Sequence, residues 1–138
     1  MFFNKKEENS NDSNLVKVGA LLIHTAKIDE NYTHEEEEII KKTLINLGAN
    51  KSNLDTIIAK AKQCEEDANQ ILDFTREIKN LEEIDKIKII ESLWKIIYSN
   101  KNADIYETNL MRRLAGLLYI ESKVMGNIKE KIKKENLK

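Results

Sequence analysis

The sequence predicts an all-α protein, a compact bundle of about seven helices, and three observations carry that prediction. The chain of 138 residues has no proline and only four glycines, whereas strand-rich folds need many tight turns built from those residues. Its apolar residues recur at spacings of three and four, the period of a helix face, rather than alternating. Helix-start signals, a Ser, Thr or Asp followed three residues later by an acid, stand at Thr33/Glu36, Ser52/Asp55 and Asp104/Glu107.

One domain is expected at this length, since single cores typically serve about 100 to 200 residues. Residues 1–14 read as a disordered arm, because Asn9-Ser10-Asn11-Asp12-Ser13-Asn14 carries too little apolar area to offset the entropy of ordering. The helical domain is placed at 15–132, and 133–138 form a basic tail.

The elements follow in order. The first helix is expected from about Leu15 to Ile28, with Leu15, Val18, Gly19, Leu22, Ile23 and Ala26 on one face. The loop Asp29–Tyr32 comes next. Thr33 and Glu36 then form a capping box, in which the hydroxyl takes an orphan amide and the carboxylate reaches back to the Thr amide. Ile39, Ile40, Leu44 and Leu47 make the core face of the second helix, and Gly48 supplies its left-handed stop. The third helix starts at Ser52 and buries Leu54, Ile57, Ile58 and Ala61, with Cys64 at the margin. A short fourth helix holds Ile71, Leu72, Phe74, Thr75 and Ile78. The fifth, about Glu82 to Ser99, is apolar over more than half its circumference and is expected at the centre of the core; Ile84, Ile87, Ile90, Trp94, Ile97 and Tyr98 share one face. The sixth starts at Asp104 and carries Leu110, Met111, Leu114, Leu117 and Leu118. The last starts near Ser122, with Val124, Met125, Ile128 and Ile132.

The segment Asn100–Glu107 echoes Asp29–Glu36 at an offset of 71 residues. Apolar positions pair at that offset before the loops (Val18/Ile89, Gly19/Ile90, Leu22/Leu93, Ile23/Trp94) and after them (Ile39/Leu110, Ile40/Met111, Leu47/Leu118). Asn31/Asn102 and Glu36/Glu107 are identical. The pattern predicts an internally duplicated helix–loop–helix unit in a closed bundle, since two copies are too few for a solenoid.

Charge narrows the function classes. With 23 basic and 24 acidic residues the net charge is −1, not the basic surplus of a nucleic-acid binder, so no nucleic-acid partner is expected. Six lysines against two glutamates from Lys123 to Lys138 suit a helix C-terminus and a solvated tail. The single cysteine, Cys64, excludes an internal disulfide and fits a reducing compartment. No apolar run reaches the roughly 18 residues that span a bilayer, and the N-terminus lacks the basic-then-apolar order of a secretory signal; a cytoplasmic protein is expected. Phe2 and Phe3 with Lys5 and Lys6 would be the part to touch a membrane surface or a partner groove.

Six side chains offer oxygens on the two related loops: Asp29, Asn31 and Glu36 on the first, Asn100, Asp104 and Glu107 on the second. A hard divalent cation, Ca²⁺ or Mg²⁺, is the ion such a set would take if pseudo-symmetry brings the loops together. The pattern is not an EF-hand: counted from Asp29, the sixth and twelfth positions are His34 and Ile40, not Gly and Glu. The same residues serve equally as helix caps with no metal. Glu35–Glu38 read as a solvated acidic helix start or a partner-binding face. His24, His34 and Cys64 lack the paired spacing of a zinc site or a Cys–His catalytic pair, and no catalytic residue is assigned. His24 reads as a packed or interfacial histidine near the apolar face, and His34 as exposed. Arg112 and Arg113 interrupt an apolar stretch, where one of them could pair with a carboxylate of the other repeat or hold an anion.

Two runs, Ala26-Lys27-Ile28-Asp29 to Glu36 and Leu93-Trp94-Lys95-Ile96-Ile97-Tyr98 to Glu107, resemble the TerB-like family. Leu110-Met111-Arg112-Arg113-Leu114-Ala115 continues the second match, and Asp73-Phe74-Thr75-Arg76 is similar to the middle of its bacterial single-domain branch. The family includes the tellurite-resistance protein TerB and the N-terminal domain of the co-chaperone DjlA. The resemblance covers about Leu15 to Lys131. It implies an all-helical fold on a duplicated helix pair, a link to tellurite or general stress resistance, no catalytic activity, and a role in metal binding or as a scaffold for protein partners. The loops depart from the usual Asp-Gly, reading Asp29-Glu30 and Asn100-Lys101, which removes both glycines and one acidic charge. The expectation is a non-enzymatic binding or scaffold domain with weak cation binding at the two loops. The alternative is a metal-independent protein-interaction module, membrane-peripheral through its N-terminal arm.

Overall fold

A computed structural model describes residues 2–27, 32–68, 70–99 and 107–136; the side chains of 2–12, 107, 108 and 136 are outside that description. Among the described residues are seven α-helices, one π-helical turn and no strand. They are α1 (Phe2–Ala26), α2 (His34–Asn46), α3 (Leu54–Asp67), α4 (Leu72–Ile78), α5 (Glu83–Tyr98), the π-helical turn Glu107–Met111 leading into α6 (Arg112–Leu117), and α7 (Ser122–Asn136).

The all-α bundle is as the sequence predicts, but its hub is shared. α1 packs against α2, α3, α4 and α5, while α5 packs against α1, α2 and α7. From Val18 to Ile23 every residue of α1 is buried, along with Thr25 and Ala26. Burying a Leu or Ile side chain contributes about 1.5 to 3 kcal/mol, so this stretch is a major source of cohesion. It can sit so deep because Gly19 lets α3 approach: a Cβ at Gly19 would lie 2.9 Å from the Ala61 Cβ. α5 buries Ile89, Ile90, Leu93, Trp94, Ile96 and Ile97. Ile84, expected on that face, is 60% exposed, because it lies in the first turn, before the helix reaches its neighbours.

Two helix starts differ from expectation. α1 begins at Phe2 rather than near Leu15, so the backbone of the segment read as an arm is helical. No proline or glycine interrupts Phe2–Val18, and extending an existing helix costs far less than nucleating one. α3 begins at Leu54, not Ser52, and Asn53 gives no side-chain cap. The Asn53 Oδ1 instead accepts from the Asn50 amide at 3.1 Å, which closes the turn before the helix.

The stops are informative. Gly48 ends α2 with φ 116°, and Ala49 N–H donates to the Leu44 carbonyl at 2.9 Å, the expected left-handed stop. α6 ends with the same hydrogen bond, Ile120 N–H to the Ala115 carbonyl at 2.9 Å, yet the left-handed residue is Tyr119, φ 58°. The buried Lys86 of α5 reaches under this end, its Nζ donating to the Leu118 carbonyl at 3.1 Å.

α2 and α5 run antiparallel. Asn46 lies beside Lys88, Thr43 meets Ser92, and Ile39 lies near Lys95. The second loop and the start expected at Asp104 fall in 100–106, outside the described residues.

Candidate functional site

Of the six expected loop oxygens, only the Glu36 side chain is described. Asp29, Asn31, Asn100 and Asp104 lie outside the described residues, and Glu107 enters only as the first backbone position of the π-helical turn. Glu36 is 3% exposed. Its Oε1 accepts from both the amide and the hydroxyl of Thr33, each at 2.9 Å, and its own amide donates to Thr33 Oγ1 at 3.1 Å. This is the capping box the spacing predicts, with both halves closed.

Beside the box, Tyr32 lies between α1 and α3 in a cleft of about 180 Å³ with Ile23, Lys27, Lys62, Glu65 and Glu66. Its hydroxyl is buried, close to the Glu37 carboxylate. Burial raises the phenol pKa, and the nearby carboxylates of Glu37 and Glu36 raise it further. Each lysine of the cleft has a carboxylate partner. Lys62 Nζ is 3.0 Å from Glu37 Oε1, and this hydrogen-bonded ammonium holds the Glu37 carboxyl below its usual range against the opposing effect of burial. Lys27 is 2.8 Å and His24 3.4 Å from the Glu65 carboxylate. The His24 ring also packs on Phe74, centroids 5.9 Å apart, so it is the packed histidine expected. His34 is 85% exposed at the start of α2, 3.8 Å from Glu38.

Cys64 is half-buried with Lys17 Nζ at 3.7 Å. Among the described residues no group of three or more His, Cys, Asp or Glu side chains is placed to hold a metal ion. Arg112 and Arg113 are both exposed, and neither pairs with a carboxylate among the described residues. The expected inter-repeat ion pair is therefore not made there. The reason is angular: α6 spends Met111, Leu114 and Leu118 on the core, and the two arginines fall on the opposite side.

Sequence reasoning missed a second cleft, the groove between α2 and α5. It has a volume of about 230 Å³ and is lined by Ile39, Lys42, Thr43, Asn46, Lys88, Glu91, Ser92 and Lys95. The hydroxyls of Thr43 and Ser92, both buried, hydrogen-bond to each other at its floor. Glu91, the groove's carboxylate, is already engaged by Lys131 of α7 at 3.3 Å. Lys42 and Lys95 have no carboxylate within ion-pair distance among the described residues. Lysines on helix faces read as solvated in sequence. Only the antiparallel pairing of α2 with α5 brings position 42 to positions 88 and 95.

These features define a class: an all-α bundle with a capped acidic helix start and a basic inter-helix groove. The family model described as Tellurite resistance protein TerB matches residues 15–130, and the chain belongs to that family. No curated protein and no solved structure matches the chain. No helix among the described residues is long and apolar enough to cross a membrane.

Proposed function

We propose that this chain is a non-enzymatic, cytoplasmic binding or scaffold domain of the tellurite or general stress response, working through protein partners. The match of the family over residues 15–130 is the observation that carries this reading. Expression in a tellurite-sensitive bacterial host tests it: the chain should raise the tellurite concentration tolerated, and a host no more tolerant than the vector control would count against it.

A weakly held divalent cation, Ca²⁺ or Mg²⁺, at Asp29, Asn31, Glu36, Asn100, Asp104 and Glu107 is the finer form of the proposal. The engagement of Glu36 favours the metal-independent form instead. One carboxylate oxygen already serves the Thr33 amide and hydroxyl, and giving it to a cation would cost a helix cap of about 1 kcal/mol. An amide NMR titration of metal-stripped protein separates the two forms. Shifts confined to 29–36 and 100–107 that saturate below millimolar cation, and vanish in Glu36→Gln, support the cation. Their absence leaves a domain that meets its partners without metal, and a pull-down with the intact chain follows.

A further inference from the structure

The Tyr32 cleft and the α2/α5 groove differ in one respect that points to a ligand. Around Tyr32 every described lysine has a carboxylate of its own. In the α2/α5 groove three lysines converge, and the single carboxylate among its lining residues is engaged from outside by Lys131. In a chain whose net charge is −1 this is a local excess of positive charge. Like charges gathered at a concave, partly desolvated surface raise the free energy of the fold, and an anion bound among them lowers it. Lys88 has a local role as well: its Nζ lies 3.5 Å from the Asn46 carbonyl at the C-terminus of α2, where a cation is favoured by the helix dipole. Lys95, in the last turn of α5, complements that helix's dipole in the same way, whereas no such role accounts for Lys42. Glu35 and Glu135 line the adjoining cleft on the far side of Lys95.

The floor adds directional donors. Thr43 Oγ1 can donate to the Ile39 carbonyl at 2.7 Å, Ser92 Oγ to the Lys88 carbonyl at 3.0 Å, and either to the other. Two hydroxyl protons thus serve three contacts, and a proton can be redirected without breaking the fold. The space, about 230 Å³, takes a small oxyanion together with a few waters at about 30 Å³ each. Lysine ammonium groups bind such ions as point charges.

We propose that the α2/α5 groove is a binding site for a small oxyanion, phosphate-like in charge, held by Lys42, Lys88 and Lys95 above the Thr43–Ser92 hydroxyl pair. The site uses none of the six loop residues and does not depend on whether they take a cation.

The test is an amide NMR titration of the full chain with inorganic phosphate and, separately, with tellurite, at constant ionic strength set by chloride. The expected result is saturable shifts confined to residues 39–46 and 88–95. Lys42→Gln combined with Lys95→Gln should weaken binding at least tenfold; both side chains are exposed, and unchanged amide dispersion confirms that the fold survives. Lys60→Gln, exposed on α3, should leave binding unchanged. Saturation by phosphate alone or by tellurite alone supports the site and says which oxyanion it prefers. Shifts that chloride reproduces, that never saturate, or that survive the double substitution overturn it.

Discussion

Replacing Gly19 by Ala puts the close approach of α1 and α3 to a direct test. In an open helix, glycine to alanine stabilises by about 1 kcal/mol, because alanine loses less backbone entropy on folding. At Gly19 the new methyl would sit 2.9 Å from the Ala61 Cβ and 3.7 Å from Leu44 Cδ1. Carbon atoms pack best at about 3.5 to 4.0 Å, so α1 and α3 must separate by roughly 0.6 Å or more. Both are main elements of the core, and overpacking of this kind costs about 1 to 3 kcal/mol. The net expectation for Gly19→Ala is a loss of about 1 kcal/mol. The same substitution at Gly126, where an added Cβ meets nothing within 4 Å inside α7, should give a gain of about 0.5 to 1 kcal/mol. Urea unfolding at unchanged m-value reads both, with midpoints moving in opposite directions. A double-mutant cycle with Ala61→Gly should return a coupling of about 1 kcal/mol, since removing the facing methyl relieves the clash. If Gly19→Ala stabilises as Gly126→Ala does, α1 and α3 do not meet at this point and the hub assigned to α1 is wrong.

Three further outcomes follow from features of the loops and caps. Thr33→Ala removes the acceptor for the Glu36 amide and a donor to its buried carboxylate, and should lower stability by about 1 to 2 kcal/mol in urea melts; a change within error would mean the box is open in solution. Tyr119→Gly relieves a left-handed residue, worth about 1 kcal/mol, but gives up the Lys79 ammonium 5.8 Å above its ring, worth about 0.5 kcal/mol. A small rise in melting temperature is expected, and a clear fall would show that Tyr119 holds α6 through contacts beyond its backbone. Glu37 has its carboxyl pKa lowered on folding from 4.5, so its contribution is complete above that value and lost as pH falls through the lower, folded value. Glu37→Gln should therefore flatten the stability profile below about pH 4.5, by under about 1 kcal/mol given the half-exposed Lys62. A profile identical to that of the parent chain would place the acid sensitivity elsewhere.

Periodicity and cap chemistry made most of the helices legible. Val18, Leu22, Ile40, Leu44, Ile57 and Ile58 were placed in the core by spacing and are buried, and Thr33/Glu36 and Gly48 fixed both ends of the second helix to within a residue. What failed was local and had local causes. Ser52/Asp55 imitates a cap, but the turn uses Asn53 instead, because side-chain oxygens compete for the same amides. Ile84 continues an apolar stripe past the point where the helix has neighbours. Tyr119 occupies a stop that sequence rules reserve for glycine or asparagine. The candidate site was less legible. Asp29, Asn31, Glu36, Asn100, Asp104 and Glu107 are chemically plain in the sequence, yet oxygens that ligate and oxygens that cap have the same spacing. The groove was hidden for another reason: Lys42 and Lys95 are 53 positions apart, and nothing in either helix alone says that they face one space.

The Thr43–Ser92 pair also indexes the seam between α2 and α5. Antiparallel helices can in principle slide past one another by one turn, about 5.4 Å, and keep their apolar faces in contact. A slip of one turn would carry Thr43 towards Lys88 in one direction and towards Lys95 or Ile96 in the other. Each hydroxyl would keep a carbonyl of its own helix but lose the other hydroxyl, and the groove would lose its polar floor. Aliphatic side chains along the seam, Ile39 among them, discriminate poorly between such settings; a single buried polar match does so sharply. The two small hydroxyls therefore act as a detent, and the price of retaining them in the core is set against an alignment of α2 with α5 that has one stable position.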